Sequence, residues 1–174
     1  MTRTFSSLSP QEALHVAIYI EERNAEVYQR FAEMFAEFRD PDSVEIADVF
    51  WDMSVEEKRH SILLQGKYRE RYGEASCVLT EEDLHDMIEV PRLESSGVFE
   101  VVESVMASPR QRALRVAIDA EKSAQNFYAQ LVQSTDDDAL RNLYNELATM
   151  EDGHVTQLRS MMAVTAVAAD KGVH

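Results

Sequence analysis

The stretch Phe50-Trp51-Asp52-Met53-Ser54-Val55-Glu56-Glu57-Lys58-Arg59-His60-Ser61-Ile62-Leu63-Leu64 carries apolar side chains at 50, 53 and 64, with Glu57 and His60 on the same register between them. Steps of three and four put these five residues on one stripe of an α-helix. Such a stripe faces a core, so Glu57 and His60 interrupt an inward face. At an offset of 94 the stripe returns as Tyr144, Leu147, Glu151, His154 and Leu158. Two further segments match at an offset of 100: His15-Val16-Ala17-Ile18-Tyr19-Ile20-Glu21 and Arg115-Val116-Ala117-Ile118-Asp119-Ala120-Glu121. Tyr28 and Tyr128 follow at the same distance in each. The inward stripes there run Leu14, Ala17, Glu21, Asn24, Tyr28, Phe31, Phe35 and Leu114, Ala117, Glu121, Ala124, Tyr128, Leu131. A duplicated helical hairpin is the simplest account.

The breakers agree with this division. Five Gly and four Pro in 174 residues leave long uninterrupted stretches, which favours helices. Ser9-Pro10-Gln11-Glu12 reads as N-cap, Pro at the first helical position and a capping-box Glu. Asp40-Pro41-Asp42 closes the first helix, and Asp42 with Glu45 opens the second, which Gly73 stops. Ser108-Pro109 opens the third, and Asp136 to Asp138 put negative charge at the start of the fourth. The predicted helices are 10–38, 43–72, 109–134 and 137–162, with a frayed tail over 163–174. Residues 74–108 form a crossover, in which Thr80 to Asp83 and 98–106 suggest short helical pieces and Pro91 a break. The expectation is one all-α domain over 1–174, a four-helix bundle of two hairpins with a long crossover between helices 2 and 3.

Composition narrows the partners. There are 32 acidic and 17 basic side chains, for a net charge of −15, which repels phosphate and anionic membrane and argues against nucleic acid. The one cysteine, Cys77, excludes a disulfide within the chain and any four-cysteine metal site. The N-terminus lacks the apolar core of a secretory signal, and no apolar run approaches the ~20 residues of a membrane span. A soluble, cytoplasmic protein is expected.

Glu21, Glu57, Glu121 and Glu151 then face one core, and burying even one unpaired carboxylate costs several kcal/mol. They must be protonated, paired with cations or bound to metal. The stripes offer no Lys or Arg at that level. Two divalent ions would neutralise the four carboxylates, and His60 and His154 could complete the set. The Glu-x-x-His spacing puts both side chains on one helical face. Alone it is a weak signal, because four of the five histidines follow a Glu by three. Glu12 with His15 has a capping explanation, and Glu82 with His85 lies in the crossover without a counterpart. Glu22 and Glu56 sit one position off the stripes and read as exposed face. Tyr28 and Tyr128 either hydrogen-bond the carboxylates or fill the core. Met53, Met150 and Met161 read as packing, and Trp51 as packing against the crossover or a partner subunit. Cys77 has no His partner that would make it a catalytic thiol.

On the segment Ala117-Ile118-Asp119-Ala120-Glu121-Lys122-Ser123-Ala124-Gln125-Asn126-Phe127-Tyr128, on Glu21 with Tyr28, and on the pairs Glu57/His60 and Glu151/His154, the chain resembles the ferritin-like superfamily and, within it, the rubrerythrin-like proteins. The resemblance spans roughly 10–72 and 109–162. It implies a dinuclear centre of two Fe ions, with Mn or mixed metal served by the same ligands. Glu57 and Glu151 would bridge, Glu21 and Glu121 would be terminal, and His60 and His154 end-on. It also implies redox activity towards O2 or H2O2, of peroxidase or ferroxidase type, an external electron-donor protein or Fe(II), and a homodimer. Two departures stand out. Ala124 occupies the place of a further family carboxylate, and Lys58 follows Glu57 where a haem-binding relative would carry Met, so no haem is expected. The rival expectations are an iron-handling protein without peroxide turnover and a stress module that uses metal structurally.

Overall fold

The computed structural model describes residues 8–74, 79, 83–84 and 108–171, with side chains described as far as 164. Four helices account for nearly all of it: α1 (Pro10–Ala36), α2 (Pro41–Tyr72), α3 (Pro109–Ser134) and α4 (Asp138–Lys171). Cys77, the Glu82/His85 pair, Pro91 and the segment 98–106 lie outside the described residues.

The helix starts follow from local chemistry. Ser9 caps α1 in a capping box with Glu12: the Glu12 amide donates to Ser9 Oγ at 3.2 Å and the Ser9 amide to Glu12 Oε2 at 2.8 Å. Ser108 and Gln111 repeat the box on α3. The start of α2 differs from the sequence reading. Asp40 is the N-cap, its side chain accepting from the Ser43 amide at 2.9 Å, and Pro41 occupies the first turn. Proline needs no amide partner there, so the cap falls on the residue before it rather than on Asp42. Helix α1 accordingly ends at Ala36, and Arg39, with φ of 57°, turns the chain. Helix α4 continues through residues 163–171, expected to be frayed. Ala163, Ala166, Ala168 and Ala169 are strong helix formers, and no breaker occurs before Gly172.

Each inward position named above is buried, except Met161, which is partly buried. The buried residues form two apolar clusters. One gathers Leu14 and Ala17 of α1, Leu64 and Tyr68 of α2, Phe127 to Leu131 of α3, and Leu140 to Leu147 of α4, with Leu79 and Leu84 from between α2 and α3. The other gathers Val27 to Phe35 of α1, Ile46 to Met53 of α2, Ala113 to Ile118 of α3, and Leu158 of α4. The grouping gives the directions: α1 runs antiparallel to α2, α3 antiparallel to α4, and α2 parallel to α3. The chain between α2 and α3 must therefore return the length of the bundle, ~48 Å for a helix of 32 residues. Among the described residues, no helix is long and apolar enough to cross a membrane.

Met150, expected to pack, is instead 48% exposed. Trp51 is 52% exposed, and the crossover it was expected to meet lies largely outside the described residues. Both lie one position off a stripe, and Trp51 lines an open groove between α1 and α2 with Glu22, Glu26, Lys58 and Arg59. Phe50, one residue away, is fully buried among the rings of Phe31 at 5.2 Å, Tyr28 at 5.9 Å and Phe35 at 6.2 Å. Phe50→Ala is expected to cost ~3–5 kcal/mol in urea unfolding. Ile62→Ala, on the exposed face of α2, is expected to cost ~0.5 kcal/mol or less.

Candidate metal centre

Between the two apolar clusters lies a polar layer. Glu21, Glu57, Glu121 and Glu151 are each 0% exposed, and His60 and His154 are buried beside them. Each helix supplies one carboxylate because each inward stripe places a Glu near its middle, and α2 and α4 add a His one turn later. The six side chains form two overlapping groups, Glu21, Glu57, His60, Glu151 and Glu57, Glu121, Glu151, His154. Within each group the donor atoms lie within 4.8 Å of one another, close enough to hold one metal ion. Glu57 and Glu151 belong to both groups.

The layer has approximate twofold symmetry. Nδ1 of His60 lies 3.2 Å from Oε2 of Glu21, and Nδ1 of His154 lies 3.2 Å from Oε2 of Glu121. The imidazoles stack loosely, with centroids 6.4 Å apart. The hydroxyl of Tyr28 on α1 donates to Glu121 on α3, and that of Tyr128 on α3 donates to Glu21 on α1. Both phenols thus reach the carboxylate of the opposite hairpin, and both rings are fully buried.

Glu57 and Glu151 are held differently. None of their four carboxylate oxygens has a hydrogen-bond partner of good geometry among the described residues. The ring of His154 lies near them, with Nδ1 3.3 Å from Glu57 and 3.5 Å from Glu151. Two adjacent carboxylates stripped of water and left without donors are the arrangement that a shared pair of cations relieves. A metal pair therefore fits the residues present. Asn24, one turn beyond Glu21, is also buried with both amide atoms unpartnered.

Electrostatics express the same strain. Burial, reinforced by the facing carboxylates, pushes Glu57 and Glu151 well above the ordinary carboxyl range. Burial would also raise Glu121, but the adjacent Glu151 carboxyl, the His154 ring and the Tyr28 hydroxyl outweigh it and hold Glu121 low. Burial would lower His154, but the surrounding carboxylates of Glu121, Glu151 and Glu57 raise it strongly. Burial and the neighbouring carboxylates keep Tyr28 and Tyr128 protonated.

The other acidic residues sort themselves by geometry. Glu12 is engaged in the cap of α1, and its neighbour His15 packs edge-on to Tyr68 at 6.4 Å. Glu22 accepts from Gln65 at 2.7 Å outside the layer. Glu56 is exposed, as its place off the stripe predicts, but it also makes a contact the sequence did not show. Its side chain is 51% exposed, yet Oε2 lies 2.8 Å from Nε2 of His154. The spacing within α2 carried no signal for this contact, since its partner lies on another hairpin.

A four-helix bundle with a parallel α2/α3 pair and a carboxylate–histidine layer at mid-height defines a ferritin-like protein. The family model described as Rubrerythrin matches residues 12–162, and the chain belongs to that family. The fold is similar to that of an uncharacterized conserved protein from Magnetospirillum magnetotacticum, with a TM-score of 0.69 and 23% identity over 90% of this chain and 95% of that one. It is also similar to a hypothetical protein from Pyrococcus furiosus, with a TM-score of 0.68 and 24% identity over 91% of each chain. No curated protein matches the chain.

The pH response of the metal-free protein follows from these directions. An unfolded Glu releases its proton near 4.5, whereas folded Glu57 and Glu151 keep theirs to higher pH. Over that interval the native state binds more protons than the unfolded state, so stability falls as pH rises. Raised His154 acts in the same sense above its unfolded value of 6.5. Lowered Glu121 acts oppositely, and only near and below 4.5. Chelator-treated protein is therefore expected to show a lower urea midpoint at about pH 8 than at about pH 5.5. Divalent metal should shrink or reverse that difference, because it takes the place of the bound protons. A metal-free protein that gains stability over this interval would contradict the assignment.

Proposed function

We propose that Glu21, Glu57, His60, Glu121, Glu151 and His154 bind two iron ions and that the protein is a di-iron oxidoreductase acting on H2O2 or O2. The observation that carries this reading is the pair Glu57 and Glu151, four buried carboxylate oxygens without a donor, in reach of both histidines. Hard carboxylate oxygen with imidazole suits Fe, and also Mn. When bound, an iron pair supplies two one-electron steps to the oxidant.

The chain's own residues set the conditions for that chemistry. Glu57 and Glu151 belong to both donor groups and would serve both ions, while Glu21 with His60 and Glu121 with His154 would each serve one. Tyr28 and Tyr128 orient the end carboxylates through their hydroxyl protons and hold those protons beside the centre. The apolar clusters above and below keep bulk water from the layer. Electrons come from a separate donor protein or from Fe(II) itself. Ala124 leaves one position of α3 without a polar group facing the layer, which favours a six-residue ligand set.

The test begins with anaerobic metal analysis of freshly purified protein, followed by oxidation with H2O2 or O2 monitored by absorption. Two irons per chain with repeated H2O2-dependent turnover support the oxidoreductase. Tens to thousands of irons per particle indicate iron storage, and a redox-silent zinc site overturns the reading. Glu57→Ala or Glu151→Ala is expected to abolish dinuclear binding, whereas Glu12→Ala or Glu82→Ala leaves the stoichiometry at two. Equal metal loss in both sets would reject the site.

A further inference from the structure

Towards Glu21 and Glu121 the inner nitrogens of the two histidines are equivalent, at 3.2 Å each, but the outer nitrogens are not. Nε2 of His154 lies 2.8 Å from Oε2 of Glu56, a carboxylate that reaches from α2 to α4 along the outside of the layer. The repeat relating α2 to α4 at an offset of 94 carries Glu57 onto Glu151, His60 onto His154 and Glu56 onto Met150. The mirrored contact to His60 would therefore have to come from Met150, whose thioether offers no comparable acceptor. No hydrogen bond to Nε2 of His60 occurs among the described residues. The layer leans the same way: Nδ1 of His154 is 3.3 and 3.5 Å from Glu57 and Glu151, against 4.0 and 3.8 Å for Nδ1 of His60.

An imidazole can coordinate metal through Nδ1 only if Nδ1 carries a lone pair, which puts the remaining ring proton on Nε2. A carboxylate accepting that proton fixes both the tautomer and the ring orientation, and it makes the inner nitrogen a stronger donor. His154 has this support and His60 does not. Resting on the dinuclear reading above, we propose that Glu56 is a positioning residue that makes the two metal positions unequal: the ion beside His154 binds first and more tightly, and the ion beside His60 binds second. Glu56 acts through His154 and is not itself a ligand. Its exposed side leaves it free to hold the proton of Nε2 without distorting the core.

The test is calorimetric titration of chelator-stripped protein with Co(II) under anaerobic conditions, with no oxidant and no turnover involved. Wild-type protein is expected to take up two Co(II) per chain in two resolved steps. Glu56→Ala should weaken the tighter step ~10–100-fold, the usual effect of removing an outer partner of a ligating histidine, and leave the weaker step in place. Glu56→Gln, which keeps an acceptor oxygen without the charge, should recover part of the loss. Met150→Glu supplies the missing counterpart and should tighten the weaker step. Glu146→Ala removes the same charge from an exposed position of α4 and should leave both steps unchanged. The proposal is overturned if Glu56→Ala superimposes on wild type, if both steps weaken equally, or if wild type binds two equivalent ions. Wild-type protein that binds no Co(II) would instead overturn the dinuclear reading itself.

Discussion

Four ionisable carboxylates share one dry layer in the middle of an otherwise apolar bundle, and the rest of the molecule is arranged around that constraint. An isolated carboxylate in such surroundings is unfavourable by several kcal/mol. Two of the four are relieved by phenol hydroxyls and imidazole nitrogens. The other two, Glu57 and Glu151, have no well-aligned hydrogen-bond donor among the described residues. Protons can occupy them in the metal-free chain, but only by raising their affinity for protons far beyond the ordinary range. A cation pair would resolve the same problem with the full charge retained, so the polypeptide presents a core that a metal pair would complete.

The tyrosines show how closely the apolar and polar parts depend on each other. Tyr28 belongs to one hydrophobic cluster and Tyr128 to the other, yet each extends its hydroxyl into the layer to a Glu of the opposite hairpin. One side chain thus fills a slab of core with its ring and satisfies a carboxylate with its oxygen. The alternative between core filling and hydrogen bonding, open on the sequence alone, dissolves because a tyrosine two turns from a buried Glu does both.

What was legible in the sequence is what repeats along a single helix. The period of 3.5 to 3.6 residues brought out the inward stripes, Gly and Pro marked the helix ends, and the duplicated pattern singled out Glu57/His60 and Glu151/His154 from the other Glu-x-x-His pairs. What escaped was set between helices. The contact of Glu56 with His154 depends on how two hairpins dock, and a side chain one position off a stripe looks the same whether it ends in water or reaches across. Met150 escaped for the related reason that an apolar type off the stripe carries no direction of its own. The end of α4 escaped because small residues after Met162 fit a frayed tail as well as an alanine-rich helix. The cap at Asp40 escaped because Asp40 and Asp42 flank the same proline.

The directions of the helices have a further consequence, for the order in which the molecule assembles. Helix α1 packs chiefly on α2, and α3 on α4, and each of these contacts is made between neighbours in the chain across a short turn. Such hairpins close cheaply and early. The two hairpins are joined by a connection that returns the full length of the bundle, so bringing them together is the slow, non-local event. The contacts of His60 with Glu21 and of His154 with Glu121 lie within a hairpin, but the others straddle that late interface: Tyr28 with Glu121, Tyr128 with Glu21, Glu56 with His154, and Glu57 beside Glu151. The centre therefore comes into existence only when the hairpins dock, and its geometry is a direct record of that docking. Metal held there would act as a clasp between two preformed halves, converting a loose encounter of hairpins into one cooperative unit.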